Sequence, residues 1–358
     1  MTERDTSRSV ILSPSTSALR ASAQDRQVEG RVRFDIVVPT IGRPSLRELL
    51  AALAQGEGPL PESLIVVDDR RDAREPLDLG GLAPAISARL RIVPSGKHAT
   101  HGPAAARNRG WRAGDAPWIS FLDDDVVPSA TWLRDLREDL GACEPRCAGS
   151  AGNVRVPLPS GRMPTDYERN VHGLEEARYI TADCAYRRSA LQATGGFDER
   201  FRRAYREDAD LALHVLASGA TIARGRRLVM HPVREADPWI SVRLQAGNAD
   251  DALMARLHGP DWRKRAGATR GRFCDHAITV AFAAFALASA AAWLWKTAAF
   301  AFARIAAGPR TFREIATMLI TSVAIPFAAV AHRVRGELGA RRSTHRRTAA
   351  VLFDRDGT

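Results

Sequence analysis

The chain has 358 residues, of which 45% are apolar and 26% charged, so it can form a folded protein larger than one typical domain. Its formal net charge of +11 is of the size found in nucleic-acid-binding proteins. However, 16 Lys/Arg and 6 Asp/Glu follow Gly259, whereas 36 and 35 precede it, so the body of the chain is nearly neutral and nucleic acid is not the expected partner.

The N-terminus and the cysteines indicate a cytoplasmic protein. Residues 1–30 are rich in Ser, Arg, Gln and Asp, have no continuous apolar core like that of a signal peptide, and are expected to form a disordered leader. Cys143 and Cys147 lack the paired spacing or nearby histidine of a metal site, and Cys184 and Cys274 add no disulfide framework. Reduced thiols are therefore expected.

Strands alternate with helices along the first half of the chain. Apolar runs predict buried strands over 34–39, 64–67, 90–93 and 118–122. Ser45 is expected to cap one intervening helix, and a second helix is expected to begin near Pro103. This alternation predicts an α/β fold with a mostly parallel sheet and helices on both faces.

Polar residues follow each of these predicted strands. They are Pro39-Thr40, Asp68-Asp69, His98–Gly102 and Asp123–Asp125. Because ligands of such sheets bind beyond the carboxyl ends of the strands, the four segments are expected to form one polar crevice. Asp123–Asp125 carries three adjacent carboxylates, which repel one another and favour a cationic partner such as Mg²⁺ or Mn²⁺. A solvated acidic turn is the alternative interpretation of that segment alone.

A second group of motifs lies further along the chain. A helix is expected over 130–140, followed by a less regular region through Arg178. A glycine turn, Gly195–Asp198, then precedes Arg206-Glu-Asp208, which opens a predicted helix. The acidic pair Glu207-Asp208 either supplies a general base or only provides favourable charge at a helix N-terminus.

Six motifs in a fixed order carry a resemblance to a known family. They are Val38-Pro-Thr40, Ile65–Asp69, Gly102–Asn108, Phe121–Asp125, Gly195–Glu199 and Glu207-Asp208. This order resembles the family 2 glycosyltransferases, which are inverting enzymes with the nucleotide-sugar-binding GT-A fold. The resemblance implies a GT-A domain over 31–259, with flanking helices and a nucleotide-diphosphate sugar as donor. The Gln-x-x-Arg-Trp signature of processive synthases is absent, which favours addition of a single residue.

The resemblance also implies roles for individual residues. Asp208 would be the catalytic base, and Asp125 would bind the metal, with His231 as a further ligand. Donor contacts are expected from Pro39, Thr40, Asp68, Asp69, Arg107, Asn108, Asp123 and Asp124, with Asp68 at the nucleobase and Asp123 at the ribose. The acceptor or sugar side is expected to include Asp183, Gly196, Glu207 and Trp239. Structural alternatives remain open for the turn pair at Asp68, the helix-face residues Arg107 and Asn108, His231 and Trp239.

Residues 260–345 form a basic region that contains two uncharged segments. Ala277–Trp295 is long enough to span about 28 Å as a helix, whereas Ile315–Ala331 is shorter and interrupted by Pro326. Because basic residues flank both segments, a transmembrane hairpin would place positive charge on both sides of the bilayer. Helices in the cytoplasmic interface, on an anionic membrane surface, are therefore favoured over a soluble appendage.

The final residues, 346–358, resemble the first motif of haloacid-dehalogenase-type phosphatases. The segment Ala349–Thr358 contains Asp354 and Asp356, which correspond to the nucleophile and the general acid/base of that family. The motif requires a core domain after it, so we expect a truncated start of such a domain or a coincidental tail, without phosphatase activity.

Together these features predict a metal-dependent glycosyltransferase that acts on a hydroxyl acceptor, such as a lipid-linked or cell-envelope glycan. One alternative is a sugar-nucleotide nucleotidyltransferase, which would need a Gly-rich basic phosphate loop after the first strand. Thr40–Pro44 is a poor version of such a loop. The other alternative is a non-catalytic membrane- or nucleic-acid-binding protein, whose binding would be salt-sensitive.

Overall fold

The computed structural model describes residues 32–96, 101–285 and 290–353. The predicted leader, part of the expected loop at His98–Gly102, and the phosphatase-like residues Asp354 and Asp356 lie outside these ranges. Those expectations therefore stay predictions.

A mixed sheet organises the N-terminal two thirds of the described residues. Its strands are β1 (Phe34–Thr40), β2 (Leu64–Asp68), β3 (Leu90–Pro94), β4 (Trp118–Leu122), β5 (Val127–Pro128), β6 (Cys147–Arg155), β7 (Asp183–Arg187) and β8 (Thr221–Met230). They pair in the order β3-β2-β1-β4-β7-β6-β8-β5. The four strands predicted from apolar runs are all present, and the α/β class is confirmed.

Strands β3, β2, β1 and β4 are mutually parallel, as predicted. β7 runs antiparallel between β4 and β6, with Leu122 opposite Asp183. The start of β7 therefore lies beside the end of β4. This reversal sets the segment before β7 next to the triple-aspartate turn, at the edge where the sheet is expected to bind ligands.

Helices flank the sheet and extend beyond it. They are α1 (Ser45–Gln55), α2 (Pro84–Ser87), α3 (Pro103–Ala113), α4 (Trp132–Gly141), α5 (Asp166–His172), α6 (Arg188–Thr194), α7 (Glu207–Ala217), α8 (Ile240–Arg243), α9 (Gly247–His258), α10 (Trp262–Ala266), α11 (Phe273–Ala284), α12 (Ala290–Ala306) and α13 (Phe312–Phe353). Ser45 was expected to cap α1, but Pro44 holds the cap position and Ser45 is the first helical residue. The helix expected over 130–140 begins at Trp132.

Helix α3 packs closely on the sheet. A Cβ added at Gly110 would lie 2.3 Å from Val37 Cγ1 and 3.0 Å from Val67 Cγ2, so only glycine permits this approach. The apolar core beneath it includes Val37, Ile65 and Phe121, all fully buried. This packing brings the start of α3, with Arg107, to the carboxyl ends of β1 and β4.

The region expected to be irregular through Arg178 contains β6 and α5. β6 reads CAGSAGNVR, a run of small residues with almost no β-branched or aromatic side chains, so local propensity does not indicate a strand. Its pairing with β7 and β8 holds it in place. α5 has a capping box, in which Thr165 and Glu168 satisfy each other's backbone amides.

The C-terminal helices do not coincide with the two uncharged segments. The uncharged segment Ala277–Trp295 is divided, because α11 ends at Ala284 and Phe285 has non-helical dihedrals. α13, by contrast, continues through Pro326. The buried side chains of Ile325 and Ala329 pack on either side of this proline, and tertiary contact of this kind can hold a helix across the missing hydrogen bond.

The C-terminal helices belong to the same compact unit as the sheet, Phe34–Thr358. A Cβ at Gly336 of α13 would meet Ala249 of α9 at 2.3 Å, so these two helices touch backbone to backbone. By length and composition, α13 is a candidate membrane span over Phe312–Ala340, and about a third of its most apolar window is buried inside the protein. The functional boundary expected at residue 259 lies inside this unit and stays a prediction.

Candidate active site

A cavity of about 1170 Å³ opens at the carboxyl ends of β1 and β4. Ten of the predicted site residues line it: Pro39, Thr40, Asp69, Arg107, Asp123, Asp124, Asp125, Glu207, Asp208 and His231. The triple aspartate and the acidic pair at the start of α7 therefore share one cavity. The wall beyond them is formed by α5 and by the C-terminal helices, with Tyr167, Phe273 and Phe300.

Asp124 is held by the last residue of β1 and by a residue of the loop that follows it. Thr40 Oγ1 donates to Asp124 Oδ2 at 2.5 Å, and Arg43 Nη1 lies 2.5 Å from Oδ1. The carboxylate is 1% exposed, so these contacts offset its loss of water. Arg43 also lines the cavity. It was missed by the sequence analysis, although its place in a loop at a strand end was a signal for it.

Asp125 faces two cationic or metal-binding groups at the end of β8. His231 Nε2 lies 3.6 Å from Asp125 Oδ1, and Arg234 Nη2 lies 3.1 Å from Oδ2. Burial raises the pKa of Asp125, and the neighbouring Asp123 raises it further. Arg234 is a second cavity residue that the sequence analysis missed.

The donor set of Asp125 and His231 fits a divalent ion. An octahedral ion with ligand bonds near 2.1 Å needs adjacent ligand atoms about 3 Å apart, and the observed pair is separated by 3.6 Å. Two protein ligands leave positions for phosphate oxygens and water, which is how Mg²⁺ is usually bound in nucleotide sites.

Arg107 joins the two acidic groups of the cavity. Its Nη1 donates to Glu207 Oε1 and its Nη2 to Asp123 Oδ1, both at 2.7 Å. The guanidinium also lies over the Phe197 ring, 5.6 Å from its centroid. Burial alone would lower the pKa of Arg107, but the two carboxylates raise it, so the group stays charged at 1% exposure.

Glu207 and Asp208 have different environments although they are adjacent. Glu207 is 1% exposed, and burial raises its pKa to about 8, with the nearby charge of Asp208 adding to the effect and Arg107 opposing it. Asp208 is only partly buried, faces the cavity, and accepts a hydrogen bond from the Ala209 amide at 2.7 Å. Burial raises the pKa of Asp208 as well. Only Asp208 has access to a ligand.

Arg206, directly before this pair, has a left-handed backbone with φ of 79°. Such a backbone conformation is costly for a residue with a Cβ atom, and it persists only where surrounding contacts hold the residue in it. Those contacts are present. Arg206 Nε lies 2.8 Å from Asp251 Oδ1 of α9, and its guanidinium stacks 4.9 Å from the Trp262 ring of α10. The start of α7 is therefore positioned by helices that follow the sheet.

Of the pair Asp68-Asp69, the structure brings Asp69 and not Asp68 to the cavity. Arg70 donates to both oxygens of Asp68, at 2.9 and 2.7 Å, within the turn, and the nucleobase contact expected of Asp68 stays a prediction. Asp69 accepts hydrogen bonds from Ser95 Oγ at 2.5 Å and from the Gly102 amide at 3.0 Å.

Asn108 and Gly196 form a structural contact outside the cavity lining. The Asn108 amide donates to Phe197 O and Glu199 Oε1, and its oxygen accepts from Phe197 N and Trp111 Nε1. All its hydrogen-bonding capacity is used, so the expected donor contact of Asn108 is corrected to fixing the glycine turn on α3. Gly196 has φ of +81° and lies against Asn108, which explains the glycine without a sugar contact.

Asp183 and Trp239 are also absent from the cavity lining. Asp183 lies 1% exposed at the start of β7, where its two oxygens accept from Arg227 Nε and Trp132 Nε1, each at 2.7 Å. It neutralises a fully buried arginine beneath the site and does not reach the sugar side. Trp239 is 48% exposed, which excludes a core position, and its expected stacking on the acceptor stays a prediction.

A mixed sheet with an acidic turn after β4 and a second acidic pair across one cavity defines the GT-A class of fold. Residues 35–195 match the family described as Glycosyl transferase family 2, so this chain carries a family 2 glycosyltransferase domain. The family and the fold expected from the six motifs are confirmed.

Several proteins are similar to this chain. A pre-mycofactocin glycosyltransferase of Mycobacterium tuberculosis is 32% identical over 171 residues, which cover 43% of this chain and 35% of that protein. The chain thus spans about a third of the length of that relative. Succinoglycan biosynthesis protein ExoM of Rhizobium meliloti is 28% identical over 273 residues, covering 70% and 85%. The solved structure of mannosyltransferase PcManGT from Pyrobaculum calidifontis, in complex with GDP-Man and Mn²⁺, has a TM-score of 0.48 at 16% identity and covers 88% and 94%.

Proposed function

We propose that this protein transfers a sugar from a nucleoside-diphosphate sugar to a hydroxyl group of an acceptor, with inversion at the anomeric carbon and with a divalent ion bound. One observation carries the proposal: Asp125 and Asp208 line the same cavity, and Arg107 donates both to Asp123 and to Glu207 beside them. An inverting transferase needs a group that binds the diphosphate and a base that activates the acceptor on opposite sides of one sugar.

The donor side is assigned to the ends of β1, β2 and β4. Asp69 and Asp123 offer carboxylate oxygens to the base and the ribose, and Asp124, held by Thr40 and Arg43, fixes the turn beside them. Arg43 and Arg234 carry positive charge at the same wall and would pair with the diphosphate. Asp125 and His231 would hold Mg²⁺ or Mn²⁺, which when bound neutralises charge on the leaving nucleoside diphosphate.

Asp208 is assigned as the general base. It takes the proton from the acceptor hydroxyl as that oxygen attacks the anomeric carbon, and the bond to the diphosphate oxygen breaks on the opposite face. Its raised pKa strengthens it as a proton acceptor, and its exposure to the cavity lets a hydroxyl approach. Glu207 holds Arg107, and through Arg107 it orients Asp123.

The acceptor is proposed to be a lipid-linked or cell-envelope glycan. Support comes from two relatives whose names refer to succinoglycan and O-antigen biosynthesis. The wall of the cavity opposite the donor side also carries apolar and aromatic groups from the C-terminal helices, among them Phe273, Phe300 and Ile325. Such a wall suits an acceptor with an apolar portion.

Association with the cytoplasmic face of a membrane is part of the proposal. Large apolar side chains on the C-terminal helices are exposed, including Phe285 and Trp295 at 74% each, Phe302 at 72% and Phe312 at 88%. Basic residues such as Arg263–Arg265 and Arg341-Arg342 lie in the same part of the chain. Apolar surface with neighbouring positive charge is the composition of a segment that binds anionic lipid.

Helix α13 has two faces, which favours a position in the interface over a span. Its inner face is buried: Met318, Ser322, Ile325 and Ala329 recur at helical spacing. Its outer face exposes Ile320, Val323, Phe327, Val334 and Leu338. Arg304 of α12 donates to Thr321 and Ser322 of the inner face and pairs with Asp166 of α5. If α13 spanned a bilayer, lipid would take the place of α12, which makes these contacts with the inner face.

The test of the proposed activity uses the full chain with anionic vesicles, a panel of nucleoside-diphosphate sugars and candidate acceptors. We expect release of nucleoside diphosphate that requires both an acceptor and Mg²⁺ or Mn²⁺, and a product whose anomeric configuration by NMR is opposite to that of the donor. Retention of configuration would contradict the role of Asp208. Consumption of a nucleoside triphosphate with release of pyrophosphate would instead indicate a nucleotidyltransferase.

A further inference from the structure

Three metal-binding side chains cluster outside the cavity. Asp210 and His214 lie one turn apart on α7, and His258 is the last residue of α9. Their ligand atoms all lie within 4.8 Å of one another. Asp210 Oδ1 is 2.7 Å from His258 Nε2 and 3.5 Å from His214 Nδ1. None of the three lines the cavity, so the proposed sugar transfer does not use them.

We propose that Asp210, His214 and His258 form a second metal site, for a divalent transition-metal ion of the Zn²⁺ class. Two imidazoles and one carboxylate are ligands that suit Zn²⁺, whereas Mg²⁺ and Ca²⁺ prefer oxygen ligands alone. The site thus differs in chemistry from the pair Asp125 and His231. It is independent of the proposed function.

Two of the three ligand separations are close to those around a bound ion. Ligand bonds near 2.0 to 2.1 Å in a tetrahedral site place the ligand atoms about 3.3 Å apart, and the observed separations from Asp210 Oδ1 are 2.7 and 3.5 Å. His214 Nδ1 is 3.0 Å from the carbonyl oxygen of Asp210, and binding would replace that contact with the metal bond. The His214 side chain is 39% exposed, which leaves room for water as the fourth ligand.

Electrostatics also favour a cation there. Asp210 is 1% exposed and His258 6%, so a carboxylate is buried beside two imidazoles that are neutral when they act as ligands. Arg200, bound by Asp198 at 2.5 Å, also interacts with Asp210 through its charge, and Arg265 donates to the carbonyl oxygen of His258. A divalent ion would compensate the buried charge of Asp210 directly.

An ion at this position would join two elements that set the start of α7. α7 begins with Glu207-Asp208, and α9 carries Asp251, which holds Arg206 in its left-handed conformation. The metal would tie α7 to α9 one turn beyond that contact. Its role is therefore structural, in keeping the acidic pair in position, and it takes no part in a chemical step.

The experiment measures metal content and Co²⁺ spectra of the untagged full chain carrying Asp125→Asn, which removes the carboxylate ligand of the first site. We expect one Zn²⁺ per chain after dialysis against excess Mg²⁺, the visible absorption of tetrahedral Co²⁺, and a higher melting temperature with Zn²⁺. His214→Gln and His258→Gln should each weaken Zn²⁺ binding at least tenfold, whereas His172→Gln, on α5, should not.

Two outcomes would overturn the proposal. One is that the Asp125→Asn chain retains no Zn²⁺ and gives no tetrahedral Co²⁺ spectrum. The other is that the double variant His214→Gln, His258→Gln binds as much metal as its parent. If His258→Gln fails to fold, His214→Gln decides, because that side chain is partly exposed and its loss leaves the Asp210–His258 contact in place.

Discussion

Arg107 Nη1 lies 2.7 Å from Glu207 Oε1, and the two side chains are 1% and 2% exposed. The second terminal nitrogen of the same guanidinium, Nη2, donates to Asp123. A buried carboxyl group and a buried guanidinium are each costly without a partner, so the contact is stable only when the two elements that carry it are correctly docked. The contact therefore couples the position of α7 to the acidic turn after β4.

The glycine turn offers a matched pair of variants. Gly195 and Gly196 both have positive φ, but a Cβ at Gly195 meets nothing within 4 Å, whereas one at Gly196 would lie 2.4 Å from Asn108 Oδ1. We expect Gly195→Ala to cost about 1 kcal/mol of unfolding free energy and Gly196→Ala about 2 kcal/mol more, measured by urea denaturation. Equal losses in the two variants would show that the contact with Asn108 can relax.

Glu207 should make stability depend on pH. Burial raises its pKa from 4.5 to about 8, and Arg107, Asp123 and Asp208 are the charged groups that face it. The folded state therefore keeps a proton that the unfolded state releases, so stability falls as pH rises from about 4.5 to about 8, by at most ~1.4 kcal/mol per pH unit.

Glu207→Gln removes this titration. We expect the difference in unfolding free energy, variant minus unchanged protein, to increase from pH 5 to pH 8 in urea titrations. Glu235→Gln, at an exposed position, is the control and should give a difference that does not change with pH. A pH-independent difference for Glu207→Gln would mean that Glu207 is ionised throughout this range.

Asp208→Asn should slow the chemical step strongly while leaving donor binding nearly unchanged. Loss of a general base costs about 10²- to 10⁴-fold in kcat, and the neutral amide keeps the shape of the side chain. We expect a donor affinity within about threefold of the unchanged protein by calorimetry. Asp115→Asn, an exposed aspartate near the start of β4, is the matched control and should retain full activity.

Asp125→Asn and His231→Gln should each weaken Mn²⁺-dependent binding of nucleoside diphosphate by about 10- to 100-fold. Binding without metal should change much less, because Arg43 and Arg234 remain. Titration of nucleoside diphosphate with and without Mn²⁺ measures both quantities. Unchanged Mn²⁺ dependence in either variant would remove that residue from the assigned metal ligands.

The two faces of α13 should respond differently to substitution. Phe327→Asp, on the exposed face, should lower binding to anionic vesicles at least tenfold in flotation assays without lowering the melting temperature. Met318→Ala, on the buried face, should cost about 2 to 5 kcal/mol of stability and leave vesicle binding unchanged. If Phe327→Asp floats with vesicles as well as the unchanged protein does, the exposed face is not the membrane contact.

Several features could be predicted from the sequence because they depend on local chemistry. The four strands at β1 to β4 are short apolar runs bounded by turn residues, and the polar groups after them must lie at one edge if the strands are parallel. β6 could not be predicted in this way, since its small residues have no strand preference of their own and only pairing with β7 and β8 fixes it. The end of α11 before Phe285 could not be predicted either, because the segment is uniformly apolar and its composition does not indicate a helix end there.

The sequence alone determined the family, the α/β class and which residue types carry the chemistry, because these follow from motifs that are contiguous in the chain. The tertiary structure decided that Asp69 and not Asp68, and Arg107 and not Asn108, reach the cavity, and it left Asp208 less buried than Glu207. Burial and partners make that choice, and they come from residues far away in sequence, such as Arg107 and Glu207, which are 100 positions apart.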